Sequence, residues 1–287
     1  MVMSEDTVAG SGGAERAWTT DTITSEVFRN KLVNISDIFA QWVAPLIDIP
    51  EATILDFGCG DGAMALGLAL NLRPRKVIGV DLNSEHGALG EIARQQIGLE
   101  ELPANLEFHT LSPGEKLSGR FEADCVFTWS VFEHIYQDYL DDVVSDLKGV
   151  VPVGGHVMLQ VAPLFYSANG SHLNDVVEEP WAHLLHQHDK LERLVLSAPR
   201  PEHTGQIADP ADEAASRQFK KTAWDCYLTL NRIIGDDIIE MFERQGFETV
   251  REYRTDCEAQ PGDHLKRIYS EDILRNEQIV ALFRKTA

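Results

Sequence analysis

The sequence has no run of eighteen apolar residues, so no segment is long enough to cross a bilayer as a helix, and no membrane span is expected. It also lacks a basic segment followed by an apolar one at its start, so no secretory signal is expected and a cytoplasmic location is. Cysteine is sparse. Cys59, Cys125, Cys226 and Cys257 are scattered without the spacing of a disulfide framework and read as reduced thiols. Bases are scarce as well, 25 against 46 acids, for a net charge of −21. A phosphate backbone would meet a repelling surface, so no nucleic-acid partner is expected. The short basic clusters Arg73-Pro-Arg-Lys76 and Phe219-Lys-Lys221 read as solvated surface. There is no internal repeat and no low-complexity tract, and 287 residues suit one large α/β domain with insertions.

What is present centres on Thr53-Ile-Leu-Asp-Phe-Gly-Cys-Gly-Asp-Gly62. Its short apolar run breaks into glycines at 58, 60 and 62, the pattern of a buried parallel strand ending in a tight turn and a helix start. Glycine there lets the backbone turn and a ligand approach closely. A phosphate loop needs Lys followed by Ser or Thr after its glycines, and neither is here. Asp56 ahead of the first glycine and Asp61 within the loop would repel a pyrophosphate and suit a cationic, amine-bearing ligand. The second strand, Val77-Ile-Gly-Val-Asp-Leu82, ends in Asp81, placed to take both hydroxyls of a ribose. A ligand with an adenosine ribose, an α-amino group and no phosphate is S-adenosylmethionine.

On these residues the chain resembles the class I S-adenosylmethionine-dependent methyltransferases. The family's acid and G-x-G match Asp56, Gly58 and Gly60, and its ribose acid matches Asp81 with Leu82 behind it. The later segments, Asp124 to His134 and Val151 to Gln160, fall in the family's order. The resemblance implies a doubly wound, seven-stranded, mostly parallel Rossmann-like sheet with a substrate insertion. It also implies cofactor contacts near Leu111, Ser112 and Trp129, although many relatives carry an acid where Leu111 and Ser112 stand.

The expected organisation is a disordered tail over 1–20 and a methyltransferase domain over 21–287. Within it, cap helices span 22–44, the cofactor core 50–162, an acceptor-binding insertion 163–232, and a C-terminal helix and strands 235–287. Trp18 or Phe28 could cap the cofactor, although packing on the sheet accounts for most of these aromatics. Ser84 is placed to cap a helix running to Ile97. The segment 200–215, rich in proline and acids, reads as a flap or surface loop.

Glu133 and His134 end the fourth strand, where parallel sheets place their ligand crevice. Three readings stand side by side: His134 as a base for an acceptor hydroxyl, Glu133 and His134 as metal ligands, or the pair as a helix cap. The resemblance extends here to metal-dependent small-RNA 2′-O-methyltransferases and ubiquinone-pathway O-methyltransferases, but Ser130 replaces one of their ligand acids. Beyond the fifth strand, an insertion of about seventy residues is long enough to be functional. Its Tyr166, Asn169 and His172, with Trp181 and His183, mix short polar groups and an aromatic face, which suits a sugar. Tyr227 and Asn231, four apart, are expected on one helix face toward the pocket.

The segment resembles that of bacterial polysaccharide and sugar methyltransferases. The expected reaction is S-adenosylmethionine-dependent methyl transfer to a hydroxyl of a sugar, glycoside or oligosaccharide, with His134 or His172 as base and Glu133 beside them. A magnesium ion held by Glu133, His134 and His183 is the alternative, although that ion prefers oxygen ligands. Rival readings are a quinone-like, lipid or natural-product acceptor, an RNA 2′-O-methyltransferase, and a non-catalytic cofactor-binding protein. A homo-oligomer is compatible with the sequence.

Overall fold

A computed structural model of the protein describes residues 23–199 and 213–287. The expected tail, Trp18 and all of the expected flap but residues 213–215 lie outside the described residues.

Seven strands form one sheet in the order β3-β2-β1-β4-β5-β7-β6. They are β1 (Thr53–Phe57), β2 (Lys76–Asp81), β3 (Leu106–Thr110), β4 (Cys125–Trp129), β5 (His156–Val161), β6 (Phe247–Asp256) and β7 (Asn276–Lys285). The first five pair in parallel, and β7 runs antiparallel to both β5 and β6. The expected doubly wound, mostly parallel sheet is therefore the observed one.

The central strands are apolar on both faces because both are covered, the condition that parallel sheets require. Successive residues point to opposite sides. Ile54, Val77, Phe127 and Met158 pack in one cluster with α2 (Ile35–Val43) and α3 (Ala63–Gly67). Leu55, Val126, Val157 and Leu159 pack in the other with α5 (Leu140–Val150) and α9 (Gly235–Arg244). A third cluster joins α1 (Glu26–Arg29), the irregular turn Asn30–Asn34 and α4 (Leu89–Ile97) to α3 through Phe28, Leu32, Leu66 and Leu89. Phe28 is thus a core residue, as packing on the sheet leads one to expect.

The insertion is built of helices and loops, as expected. It holds α6 (Ala182–Leu185) and α7 (His188–Ser197), followed by α8 (Glu213–Thr229). Trp224, Leu191 and Val195 bind α7 to α8 in a small core of their own. Two short helices, α10 (Asp263–Lys266) and α11 (Glu271–Arg275), bridge β6 and β7.

Two local expectations fail. Ser84 makes no capping bond, because the chain enters α4 through a 3-10 turn at Glu85–Ala88. α8 stops at Thr229, so Asn231 does not share a helix face with Tyr227.

Candidate active site

The glycine turn sits at the carboxyl end of β1. Gly58 and Cys59 donate their amides to the Val80 carbonyl at 2.9 and 3.1 Å, which ties the loop to the end of β2. The Gly60 amide then donates to Asp81 Oδ2 at 2.9 Å, and the Asn83 amide to Oδ1 at 2.8 Å. Asp81 is thereby oriented at the lip of the loop, with Leu82 exposed beyond it.

Gly58 and Gly60 both lie at positive φ, 77° and 51°. A Cβ on Gly58 would stand 2.4 Å from a Val131 methyl carbon, whereas one on Gly60 would meet nothing within 4 Å. The first glycine is required by packing and the second leaves room for a ligand.

The loop opens on a cleft of about 580 Å³ lined by Val27, Lys31, Gly58, Gly60, Met64 and Trp129, among others. The N-terminal helical run forms its far wall, and Lys31 Nζ reaches Asp61 at 2.7 Å across the opening.

Three carboxylates define the cleft's charge. Asp56 is buried beneath the loop with Oδ2 unpartnered. Burial, and then the charges of Asp81 and Asp61, push it up to about 8, so it is largely protonated at neutral pH. A cation entering the cleft would relieve the repulsion that Asp81 and Asp61 exert on Asp56.

The turn after β3 is where cofactor contacts near Leu111 and Ser112 are expected. Leu111 is buried in the core and contributes its amide, which donates to the Asp81 carbonyl at 2.8 Å. Ser112 is exposed, and its amide donates to Glu115 Oε2 at 2.9 Å. Glu115 also stands at this turn, with its carboxylate taken by the Ser112 amide and by Arg120.

The acceptor side begins one turn beyond Trp129. Ser130, at φ 53°, donates from both its amide and hydroxyl to Gln160 Oε1 at 2.9 and 3.0 Å. That buried glutamine fixes the strand end, a role the sequence did not suggest. The turn Phe132–His134 follows. Glu133 is 3% exposed, neither of its carboxyl oxygens has a hydrogen-bond partner, and burial pushes it up to about 8. His134 stands on the exposed rim, and its ring meets that of His172 edge-on at 5.1 Å. Burial lowers His172 to about 4, and the part of the His134 ring turned inward lowers that imidazole as well. Cys226 of α8 completes the group, with Sγ 3.8 Å from His134 Nδ1.

Asn231, rather than facing the pocket, holds this turn. Its amide donates to the carbonyls of Phe132 and Ile135 at 2.5 and 2.8 Å.

Other predicted acceptor residues are occupied elsewhere. Trp181 is 4% exposed and donates its indole N–H to the Tyr166 and Leu274 carbonyls, so it is core and not a stacking face for a sugar. Asn169 donates to Glu277 at 3.0 Å, and Tyr166 lines a separate small cavity with Gly235 and Arg254. Tyr227 packs on Trp224 at 5.2 Å. His183 is buried with Nε2 2.6 Å from the Phe165 carbonyl. The expected metal set of Glu133, His134 and His183 does not assemble. Among the described residues the clustered ligand-type groups are His134, His172 and Cys226.

A family model described as a methyltransferase domain matches residues 55–157, the stretch from the glycine turn to the start of β5. Over that stretch the chain is similar to a methyltransferase domain. Solved structures agree on the fold. An S-adenosylmethionine-dependent methyltransferase from Mesorhizobium loti is 13% identical, with a TM-score of 0.50 over 87% of this chain and 100% of that one. The magnesium protoporphyrin IX methyltransferase of Synechocystis, crystallised with bound SAH, is 14% identical with a TM-score of 0.51 over 96% and 90%. PKMT2 of Rickettsia typhi is 14% identical with a TM-score of 0.52 over 86% and 52%. No curated protein matches the sequence. The matched stretch supplies Gly58, Gly60, Met64 and Trp129 to the cleft, while Val27 and Lys31 on its other wall, and α6, α7, α8 and His172, lie outside it.

Proposed function

We propose that this methyltransferase moves the methyl group of S-adenosylmethionine onto a hydroxyl of a sugar or glycoside. S-Adenosylmethionine supplies a methyl group already activated on a sulfonium. Asp56, Asp61 and Asp81 around the glycine turn support a cationic cofactor in the cleft, with Asp81 the candidate partner for its ribose. The chain's remaining work is to align an oxygen and accept its proton.

The observation that carries the acceptor reading is the edge-on pair of His134, just past β4, and His172, from the insertion after β5. His134 is the base, being the more accessible of the two, and His172 buttresses its ring. Glu133 is protonated at neutral pH and backs the turn without taking a proton. The resemblance of the segment after β5 to that of bacterial polysaccharide and sugar methyltransferases supports a sugar acceptor.

A second reading, an apolar quinol-like acceptor, draws on Tyr136 and Tyr139, both exposed and edge-to-face at 6.4 Å just past His134. Labelled S-adenosylmethionine offered with sugars, glycosides, nucleotide sugars and quinols separates the two. Transfer to a sugar that falls at least a hundredfold in His134→Ala is expected. Transfer to quinols alone overturns the acceptor, and an unaffected variant overturns the base.

A further inference from the structure

His134, His172 and Cys226 reach one point from three separate parts of the chain: the turn after β4, the insertion and α8. One ligand atom from each lies within 4.8 Å of the others. Cys226 Sγ and His134 Nδ1 are 3.8 Å apart. Zinc bonds of about 2.0–2.3 Å in a tetrahedron space their ligand atoms about 3.6 Å apart, so this pair already has the required separation. The third ligand closes by a small rotation of one imidazole.

His172 Nε2 is buried and has no hydrogen-bond partner, an arrangement that costs free energy unless something completes it. The backbone also holds His172 at φ 57°, aiming its ring at His134 from a conformation that non-glycine residues seldom adopt.

Donor chemistry selects the ion. Two imidazoles and a thiolate suit a borderline metal of the zinc class and not magnesium or calcium, which take oxygen. Three protein ligands leave a fourth position open, as in catalytic rather than structural zinc sites.

We propose that His134, His172 and Cys226 form a three-ligand site for a divalent zinc-class ion whose open position faces the acceptor crevice. The proposal rests on that crevice holding the acceptor. With the ion present, His134 and His172 are ligands instead of base and buttress. The acceptor O–H, bound at the fourth position, loses its proton to solvent because the ion acidifies it. The O–CH₃ bond then forms as the sulfonium C–S bond breaks, and S-adenosylhomocysteine leaves.

Cobalt(II) titration of chelator-stripped protein tests the site without cofactor or acceptor. A one-to-one thiolate-to-cobalt charge-transfer band is expected, displaced by zinc and unmoved by magnesium. It should vanish in Cys226→Ser, weaken at least tenfold in His172→Ala and persist in Cys257→Ser, with circular dichroism confirming that each variant is folded. Alkylation of wild-type protein gives a second readout, since zinc should shield Cys226 and leave Cys257 unchanged. No band in the wild type, or a band that survives Cys226→Ser, overturns the site. Because no turnover is read, a negative titration leaves the sugar-transfer proposal intact, and a failed acceptor panel leaves the titration meaningful.

Discussion

Asp56 couples folding to the uptake of a proton. Its carboxyl is raised to about 8 in the folded protein from an ordinary value near 4, chiefly by burial. The free protein therefore holds a proton there at pH 7 that an unfolded chain would release. Binding a cationic amino group favours the carboxylate, so cofactor binding below pH 8 should expel a proton and tighten as pH rises toward 8. Titration calorimetry in buffers of different ionisation enthalpy reads this directly, and Asp56→Asn should lose about tenfold to a hundredfold in affinity. Proton-free binding, flat from pH 6 to 8, would remove Asp56 from the cofactor site. His183 titrates with the opposite consequence. Burial lowers it to about 4, so the unfolded chain binds a proton that the folded one refuses below about pH 6.5. Stability is complete above pH 6.5 and falls as pH drops toward 4, by about 2 kcal/mol at pH 5. Urea unfolding of the wild type and His183→Gln at pH 7 and 5 should show a smaller loss in the variant.

Elements were legible where periodicity was strong. The apolar runs around Ile54, Val77, Phe127 and Val157 read as strands because both faces of each strand are covered, and all four are strands. The glycine turn was equally plain, since Gly58 tolerates no Cβ against Val131. Contacts between distant segments were not legible. Lys31 pairs with Asp61 thirty residues away, and Cys226 finds His134 across ninety-two. Trp181 looked like a sugar platform because an aromatic in a polar segment has no sequence mark of burial. Asn231 was placed on the wrong element, since nothing local ended α8 at Thr229. Its true position gives a prediction. The amide satisfies two carbonyls of the turn bearing His134, so Asn231→Ala should cost about 2–3 kcal/mol and lower kcat more than it raises KM. Chemical unfolding with steady-state kinetics checks both parts, and a loss confined to stability would separate the turn from catalysis. The Lys31–Asp61 pair is partly exposed, so Lys31→Ala should change stability by less than about 1 kcal/mol. It should still speed cofactor release, because the pair bridges the cleft wall to the loop. An unchanged off-rate in stopped-flow fluorescence would reduce that contact to surface decoration.

At the scale of the whole molecule, the net charge of −21 adds a field that no single contact reveals. The same field favours entry of a cationic cofactor and opposes an anionic acceptor. Exposed charges act over about 8 Å at physiological ionic strength and about 30 Å at 0.01 M. The consequence for specificity can be measured. A neutral glycoside should show a kcat/KM nearly independent of salt, because nothing long-ranged steers it. An anionic acceptor, such as a nucleotide sugar, should be slow at 0.01 M and gain several-fold as salt rises to 0.15 M, since screening weakens repulsion at the encounter step. Nucleic acid should show the reverse of normal behaviour, with no gain in binding as salt is lowered. Two outcomes would count against this picture. If an anionic acceptor slows as salt is added, a local basic groove must outweigh the global charge, and the acceptor would be sought among anions. If RNA binds tightly at low salt with a steep salt slope, the exclusion drawn from composition fails, and the crevice at His134 would need to be considered as a site for a polynucleotide hydroxyl.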